Sequence, residues 1–165
     1  MDNIILIGMP GAGKSTIGVL LAKTINYRFI DTDLIIQRKY GKLLKDIIAE
    51  RGIDEFLLIE ERETISLNNA DQSVIATGGS IVLKEKAMVH LKRIGTVVYL
   101  KLPYDELEKR VKNITTRGIV MKKDQTFYDV YRERTPLYEK YAEITICCSG
   151  KTMEQIVELL AEKIF

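Results

Sequence analysis

The sequence has few of the residues that build disulfide frameworks, metal sites or membrane spans. Among its 165 residues there is no tryptophan, there is one histidine, and the two cysteines are neighbours at Cys147 and Cys148. Because neighbouring residues of a strand point to opposite faces, this pair is a poor candidate for a disulfide or a metal site. The apolar runs are too short to span a membrane, and no basic segment precedes the first of them. We therefore expect a soluble cytoplasmic protein with reduced cysteines and no membrane partner.

The sequence also has no large excess of charge of either sign. Its net charge is +2, with both signs mixed along the chain, which argues against a large nucleic-acid-binding surface. Apolar residues make up 46% and charged residues 29%, as is ordinary for a soluble globular protein. There is no internal repeat, low-complexity tract or interdomain linker. We predict a single domain over residues 1–165, long enough to bury its own core.

The most informative segment is residues 8–16, which read GMPGAGKST and fit the Walker A pattern G-x-x-x-x-G-K-[ST]. A short β-branched run precedes it and a helical pattern follows, as that phosphate-binding loop requires. Glycines let successive N–H groups turn towards phosphate oxygens, and the positive end of the helix dipole faces the same anions. Lys14 would reach the β- and γ-phosphates, and the Ser15 hydroxyl would ligate Mg²⁺. A glycine-rich turn with a capping serine is the alternative, but the full motif favours a bound nucleoside triphosphate.

Strand and helix patterns alternate along the whole chain. Alternation of this kind implies a parallel sheet with helices on both faces, and therefore an α/β fold with three layers, α/β/α, and five strands. Pro136 lies inside the helical pattern of residues 127–141 and predicts a kink or break near Thr135. The predicted strands are residues 3–7, 28–30, 73–76, 96–100 and 144–147, and the main predicted helices are 15–24, 43–51, 54–67, 84–93, 104–112, 127–141 and 152–164.

Polar residues and glycines collect where the predicted strands end. Asp31 and Asp33 follow the second strand, and Gly78 and Gly79 follow the third. In parallel sheets ligands bind outside the carboxyl ends of the strands, so these residues should lie beside the phosphate-binding loop. The two carboxylates are placed to act as a metal ligand and a general base, although Asp31 or Thr32 could also simply cap the next helix. The glycines would let the backbone approach a ligand closely, with a plain tight turn as the alternative.

Several classes of nucleotide-binding protein are disfavoured. The sequence contains no Asn-Lys-x-Asp guanine-reading motif, and Lys101 stands where a Walker B carboxylate would close the fourth strand. The chain is also too short for a motor with its coupling elements. Residues 113–126 form a polar segment with a glycine and several cations, which suggests a mobile lid. Together these features favour a monomeric phosphotransferase that acts on a small-molecule hydroxyl acceptor.

From end to end, the chain resembles the shikimate kinases, small enzymes of aromatic amino-acid biosynthesis with a P-loop kinase fold. The resemblance rests on six features: residues 8–16, Asp31-Thr32-Asp33, Phe56 with Glu60, Gly78-Gly79, Arg117 in the lid, and the RTPLY run at residues 134–138.

The resemblance implies a role for each matching residue. Asp33 would bind the substrate hydroxyls and orient or deprotonate the attacking one, and Arg134 would hold the substrate carboxylate. Arg117 would act with Lys14 on the transferring phosphoryl group, and Gly78 and Gly79 would meet substrate through the backbone. ATP and Mg²⁺ would be the cofactors. The phosphates and nucleotide would be held by Gly11, Ala12, Gly13, Lys14, Ser15, Thr16, Arg110 and Arg117, and the metal by Ser15 supported by Asp31.

Two positions depart from the family pattern. Family members carry a carboxylate-binding arginine directly after the phenylalanine that Phe56 matches, but here Leu57 follows, and Ser80 replaces the third glycine of the Gly78 run. A hydrogen bond to a charged group contributes about 1.5–3 kcal/mol, so its loss would weaken acceptor binding by about one to two orders of magnitude. Three functions follow: shikimate 3-kinase, a sister kinase for another small hydroxylated metabolite such as homoserine, or a non-catalytic nucleotide-binding module. The last is disfavoured because Lys14, Asp33 and Arg117 are all present.

Overall fold

The computed structural model describes residues 2–68, 70–111 and 118–165. Its centre is a sheet of five parallel strands in the spatial order β2-β3-β1-β4-β5. The strands are β1 (Asn3–Ile7), β2 (Arg28–Asp31), β3 (Ser73–Ala76), β4 (Gly95–Lys101) and β5 (Ile144–Cys147). All five predicted strands are therefore present, with shifts of one residue at some ends.

The helices enclose this sheet. β1 and β3 are buried along their whole length, as strands covered on both faces must be, which gives the predicted three-layer α/β/α arrangement. α1 packs against α8, and α4 packs against α5, α2 and α3. The helices are α1 (Lys14–Ile25), α2 (Thr32–Tyr40), α3 (Leu44–Arg51), α4 (Ile53–Ile65), α5 (Glu85–Ile94), α6 (Tyr104–Arg110), α7 (Phe127–Tyr141) and α8 (Met153–Ile164), with a 3₁₀ turn at Ile81–Leu83.

Of the kink or break predicted near Thr135, the break does not occur. The helix runs unbroken from Phe127 to Tyr141, with Pro136 inside it. Proline removes one intrahelical hydrogen bond, but buried side chains anchor this helix on both sides of it, with Val130 and Arg134 before and Tyr138 after. Tertiary packing therefore outweighs the local preference of the proline.

Two apolar clusters stabilise the chain. The main cluster joins the sheet to α1, α5, α7 and α8. A second, smaller cluster lies under α2, α3 and α4 and contains Ile36, Leu44, Ile47, Phe56, Ile59 and Val120. Since Val120 follows the predicted lid glycine, this cluster ties the described end of the lid to α3 and α4. No helix within the described ranges is long and apolar enough to cross a membrane. Cys147 is exposed, Cys148 is buried, and both are free thiols.

Candidate active site

The phosphate-binding loop joins β1 to α1 and ends in a glycine whose backbone is in the left-handed region, a conformation that favours glycine. Gly13 is the N-cap of α1, with φ 92° and ψ 17°, and no side chain caps the helix. The first amide N–H groups of α1 are therefore left to an external acceptor, at the positive end of the helix dipole. A phosphate group is the natural occupant of such a position.

Lys14 is held within the loop itself. Its Nζ donates to the carbonyl oxygens of Gly8 at 2.7 Å and Met9 at 2.8 Å. Burial lowers the pKa of Lys14 to about 8, while the nearby carboxylate of Asp33 opposes the decrease. An anion bound in the loop would raise the pKa of Lys14 again by stabilising its charged form, so the lysine is suited to a phosphate partner.

Asp31 caps α2, which is one of the two roles left open above, and it also contacts the phosphate-binding loop. One carboxylate oxygen, Oδ1, caps α2 by accepting from the backbone N–H groups of Asp33 at 3.0 Å and Leu34 at 3.3 Å. The other, Oδ2, accepts from the Ser15 hydroxyl at 2.9 Å. A hydroxyl and a carboxylate beside a phosphate loop are oxygen donors of the kind Mg²⁺ takes, together with phosphates and waters. Ser15 and Asp31 therefore fit a magnesium ion bound with the nucleotide.

Asp33 lies at the other end of the site. Its Oδ1 is buried and has no hydrogen-bond partner among the residues that the structure describes. Burial and the neighbouring charge of Asp31 raise the pKa of Asp33 to about 6, while Lys14 opposes the shift. A carboxylate poised in this way can accept a hydrogen bond from a hydroxyl and take its proton.

Arg134 supplies the complementary group. Arg134 is 2% exposed, and its Nη2 donates to the carbonyl oxygen of Val120 at 2.5 Å. Its Nε is buried and has no partner within the described ranges. One turn later on α7, the Tyr138 hydroxyl donates to the carbonyl oxygen of Gly79. α7 therefore holds both the guanidinium and the glycine loop that follows β3.

Glu60 and Ser80 complete this end of the site, although neither was among the site residues predicted from the sequence. Both are buried, and the Ser80 hydroxyl donates to Glu60 Oε1 at 2.7 Å. Burial raises the pKa of Glu60 to about 7, whereas the hydrogen bond from Ser80 lowers it. The sequence signal for Glu60 was its spacing from Phe56. Residues four apart lie on the same face of a helix, so this spacing places the carboxylate beside an apolar side chain.

A cavity of about 670 Å³ brings most of the predicted site residues together. Among the residues proposed from the sequence, those lining it are Gly11, Gly13, Lys14, Ser15, Thr16, Asp33, Gly78, Gly79, Arg110 and Arg134. Arg110 also donates to the Gly11 carbonyl oxygen at 3.4 Å.

Three predicted residues do not line the cavity. Ala12 is buried in the main apolar cluster, and Asp31 is placed behind Ser15 rather than on the cavity wall. Leu57 does not line the cavity but packs against the second apolar cluster. Arg117 lies outside the described residues, as do residues 113–116 of the predicted lid.

The described end of the lid closes the cavity on the side of α3. Gly118, Ile119 and Val120 line it, and Val120 packs with Leu44 and Phe56. A Cβ at Gly118 would lie 2.7 Å from the Cβ of Leu44, so this segment lies tightly against α3. The cavity therefore has a phosphate end formed by the loop before α1 and an acceptor end formed by Asp33, Glu60 and Arg134.

Comparisons with known proteins agree with this arrangement. The family described as "Shikimate kinase" matches residues 10–165. A shikimate kinase of Clostridium botulinum is 38% identical over 163 residues, which cover 97% of this chain and 95% of that protein. One from Bacillus anthracis is 39% identical over 165 residues, covering 99% of both.

Solved structures give the same result. Shikimate kinase from Acinetobacter baumannii, solved in complex with shikimate, superposes with a TM-score of 0.92 at 30% identity, covering 99% of this chain and 93% of that one. A deoxyadenosine kinase from M. mycoides with bound dATP has a TM-score of 0.58 at 15% identity, covers 99% of both chains and shares the fold alone.

Proposed function

The chain belongs to the shikimate kinase family, and we propose that it transfers the γ-phosphate of ATP to a hydroxyl of shikimate, forming shikimate 3-phosphate. As a member of that family it is a phosphotransferase whose acceptor is an alcohol group. The identity of the alcohol is the proposal. The relative from A. baumannii was solved with shikimate, which supports the same acceptor here.

One observation carries the proposal. Two buried polar atoms, Asp33 Oδ1 and Arg134 Nε, have no partner in the described part of the chain, and both belong to residues that line the same cavity beside the phosphate loop. The first can only accept from a donor such as a hydroxyl, and the second can only donate to an acceptor such as a carboxylate. A ligand that satisfies both atoms is a hydroxy acid, and shikimate is one.

The residues divide the reaction between them. Asp33 accepts a hydrogen bond from the attacking hydroxyl and takes its proton. As this happens, the new oxygen–phosphorus bond forms and the bond between the γ-phosphate and the leaving ADP breaks. Lys14 and the amide groups at the start of α1 neutralise the charge on the phosphates, and Ser15 with Asp31 would hold Mg²⁺ against them. Arg134 fixes the acceptor through its carboxylate. Positioning and charge neutralisation supply most of the acceleration of phosphoryl transfer.

The lid would complete the site. Residues 113–126 are proposed to close over the bound substrates and exclude water, with Arg117 reaching the transferred group, which would limit wasteful ATP hydrolysis. Packing of Val120 in the second cluster gives this segment a fixed anchor at its carboxyl end. Protection of residues 118–126 from hydrogen exchange should therefore rise when nucleotide and shikimate are both bound, and unchanged protection would count against closure.

We also propose that the enzyme works in the cytoplasm, where ATP is supplied, and as a monomer. A single chain provides the phosphate loop, the acceptor end and the described part of the lid. Sedimentation equilibrium at micromolar concentration should give one chain mass, and a dimer mass would contradict the monomer.

The test of function is coupled ADP release with ATP and Mg²⁺ against shikimate, homoserine and a panel of small hydroxy acids and polyols. Shikimate should give the highest kcat/KM. Asp33→Asn should abolish most of that turnover, whereas Asp46→Asn, the same change at an exposed position of α3, should leave it intact. Turnover of another acceptor with shikimate inert would make the chain a kinase of different specificity. Nucleotide binding with no turnover of any acceptor would contradict the enzymatic function itself.

A further inference from the structure

Glu60 is a buried carboxylate whose hydrogen-bond donor is an uncharged side chain. Its residue is 1% exposed, that of Ser80 is 4% exposed, and the Ser80 hydroxyl donates to Glu60 Oε1 at 2.7 Å. Within the described ranges, no lysine or arginine forms an ion pair with it. A buried carboxylate is costly unless it is hydrogen-bonded, so this contact has a large influence on the state of Glu60.

The second oxygen of Glu60 faces Asp33 across a glycine. A Cβ built on Gly78 would lie 2.5 Å from Glu60 Oε2 and 2.9 Å from Asp33 Oδ1. Both carboxylates thus border the small space above the Gly78 backbone. The negative charge of Asp33 opposes ionisation of Glu60, since like charges held close together cannot both ionise easily.

Without the Ser80 hydroxyl, this pair would behave differently. A hydrogen bond to an ionised carboxylate favours that form, so its removal favours a protonated Glu60. A protonated carboxyl is a donor, and Asp33 Oδ1, on the other side of Gly78, is a buried acceptor with no partner among the described residues. Glu60 would then donate a hydrogen bond to Asp33 Oδ1, and the oxygen that should receive the acceptor hydroxyl would be occupied.

We infer that Ser80 is a positioning residue for the acceptor end of the site: by holding Glu60 through Oε1, it keeps Glu60 from pairing with Asp33 and leaves Asp33 Oδ1 open to the acceptor hydroxyl. The inference rests on the proposed function, because it assigns Asp33 to the acceptor. It also gives a physical role to the serine that replaces a glycine of the family pattern. A glycine there could not donate this hydrogen bond.

The kinetic test compares Ser80→Ala with Ser80→Thr, which keeps a hydroxyl. Ser80→Ala should raise the acceptor KM about tenfold, the effect expected of one hydrogen bond to a charged group, with the ATP KM within about twofold of wild type. Ser80→Thr should recover most of the loss. In a Glu60→Gln background Ser80→Ala should have a much smaller further effect, because the glutamine amide is a donor to Asp33 Oδ1 at every pH and its state does not depend on Ser80.

The pH profile adds a readout that a purely structural role would not change. The charged groups facing Glu60 are Asp33, Arg134 and Lys14, and all three are unchanged in these variants. In Ser80→Ala the acid limb of kcat/KM for the acceptor should therefore move to higher pH. An acceptor KM equal to wild type, or the same loss from Ser80→Ala with and without Glu60→Gln, would overturn the inference.

A measurement without acceptor separates this inference from the proposed function. The ¹³C resonance of the Glu60 carboxyl can be titrated in the free protein, and its midpoint should be higher in Ser80→Ala than in wild type. If shikimate is not phosphorylated but the midpoint rises, the proposed acceptor is wrong and the Ser80 contact remains. If the midpoint does not move, Ser80 does not control Glu60, whatever the acceptor. Ser80→Gly serves in both experiments should Ser80→Ala fail to fold.

Discussion

Leu57→Arg should convert a packing residue of α4 into a second cation at the acceptor end. Leu57 is half-buried and packs against the second apolar cluster. It precedes Glu60 by three residues, so the two positions are neighbours on the helix surface. The apolar stem of an arginine can cover the cluster as the leucine does, and we expect its guanidinium to reach past the cluster towards Glu60 and the acceptor carboxylate.

The expected effect is a lower KM for shikimate. A hydrogen bond between a guanidinium and a carboxylate contributes about 1.5–3 kcal/mol, which corresponds to a KM about 10- to 100-fold lower when binding equilibrates before chemistry. The ATP KM should not change, because the loop before α1 is not altered. Partial loss of the leucine packing should lower the free energy of unfolding by about 1 kcal/mol, since only part of the side chain is removed from the cluster.

The assay is coupled ADP release at varied shikimate, with Leu58→Arg as the matched control. Leu58 is the next residue of α4 and is 53% exposed, so its replacement adds the same charge on the solvent side. Leu57→Arg should lower the shikimate KM and Leu58→Arg should not. Equal KM values for Leu57→Arg and wild type, or an equal decrease in both variants, would refute the assignment of position 57 to the acceptor end.

Three further predictions concern single contacts of the site. Arg134→Lys should raise the acceptor KM about tenfold or more, because an ammonium group cannot reproduce the planar, forked hydrogen-bonding geometry of a guanidinium. The control Arg132→Lys, on the same helix, should leave the acceptor KM unchanged. Equal acceptor KM values for Arg134→Lys and wild type in steady-state assays would contradict this prediction. Burial raises the pKa of Glu60 from 4.5 to about 7, so the folded state retains a proton that the unfolded state releases between these values, and stability falls as pH rises through them. Glu60→Gln should therefore be more stable than wild type at pH 8, by up to about 3 kcal/mol, and this difference should disappear near pH 4. Thermal unfolding of both proteins between pH 4 and pH 8 measures the difference. A stability difference that does not change with pH would contradict the prediction. Tyr138→Phe removes the donor to the Gly79 carbonyl oxygen and should lower the free energy of unfolding by about 1–3 kcal/mol in urea titrations; an unchanged midpoint would mean that this bond is not stabilising.

The phosphate end of the site could be predicted from the sequence because its determinants are local. A strand, a glycine-rich turn and a helix follow one another within residues 3–25, and each is specified by its own pattern. The sheet follows from the alternation of strands and helices in the same way. Asp31 and Asp33 lie beside the loop because β2 and β1 end at the same edge of a parallel sheet.

The acceptor end could be predicted only in part because its contacts are not local. The Ser80–Glu60 hydrogen bond joins positions 20 residues apart, and its importance depends on burial that no pattern reveals. Whether Leu57 faces the cavity or the second cluster depends on how α4 is rotated about its axis. The continuity of α7 through Pro136 likewise depends on side chains that anchor the helix from outside.

The most direct test of the central claim is ³¹P NMR of the purified protein with ATP, Mg²⁺ and shikimate. We expect a phosphomonoester resonance, coupled to the ring proton at carbon 3 of shikimate, that grows in step with ADP and does not form with Asp33→Asn. ATP that remains intact, or that is converted to ADP and inorganic phosphate with no phosphomonoester, would contradict it.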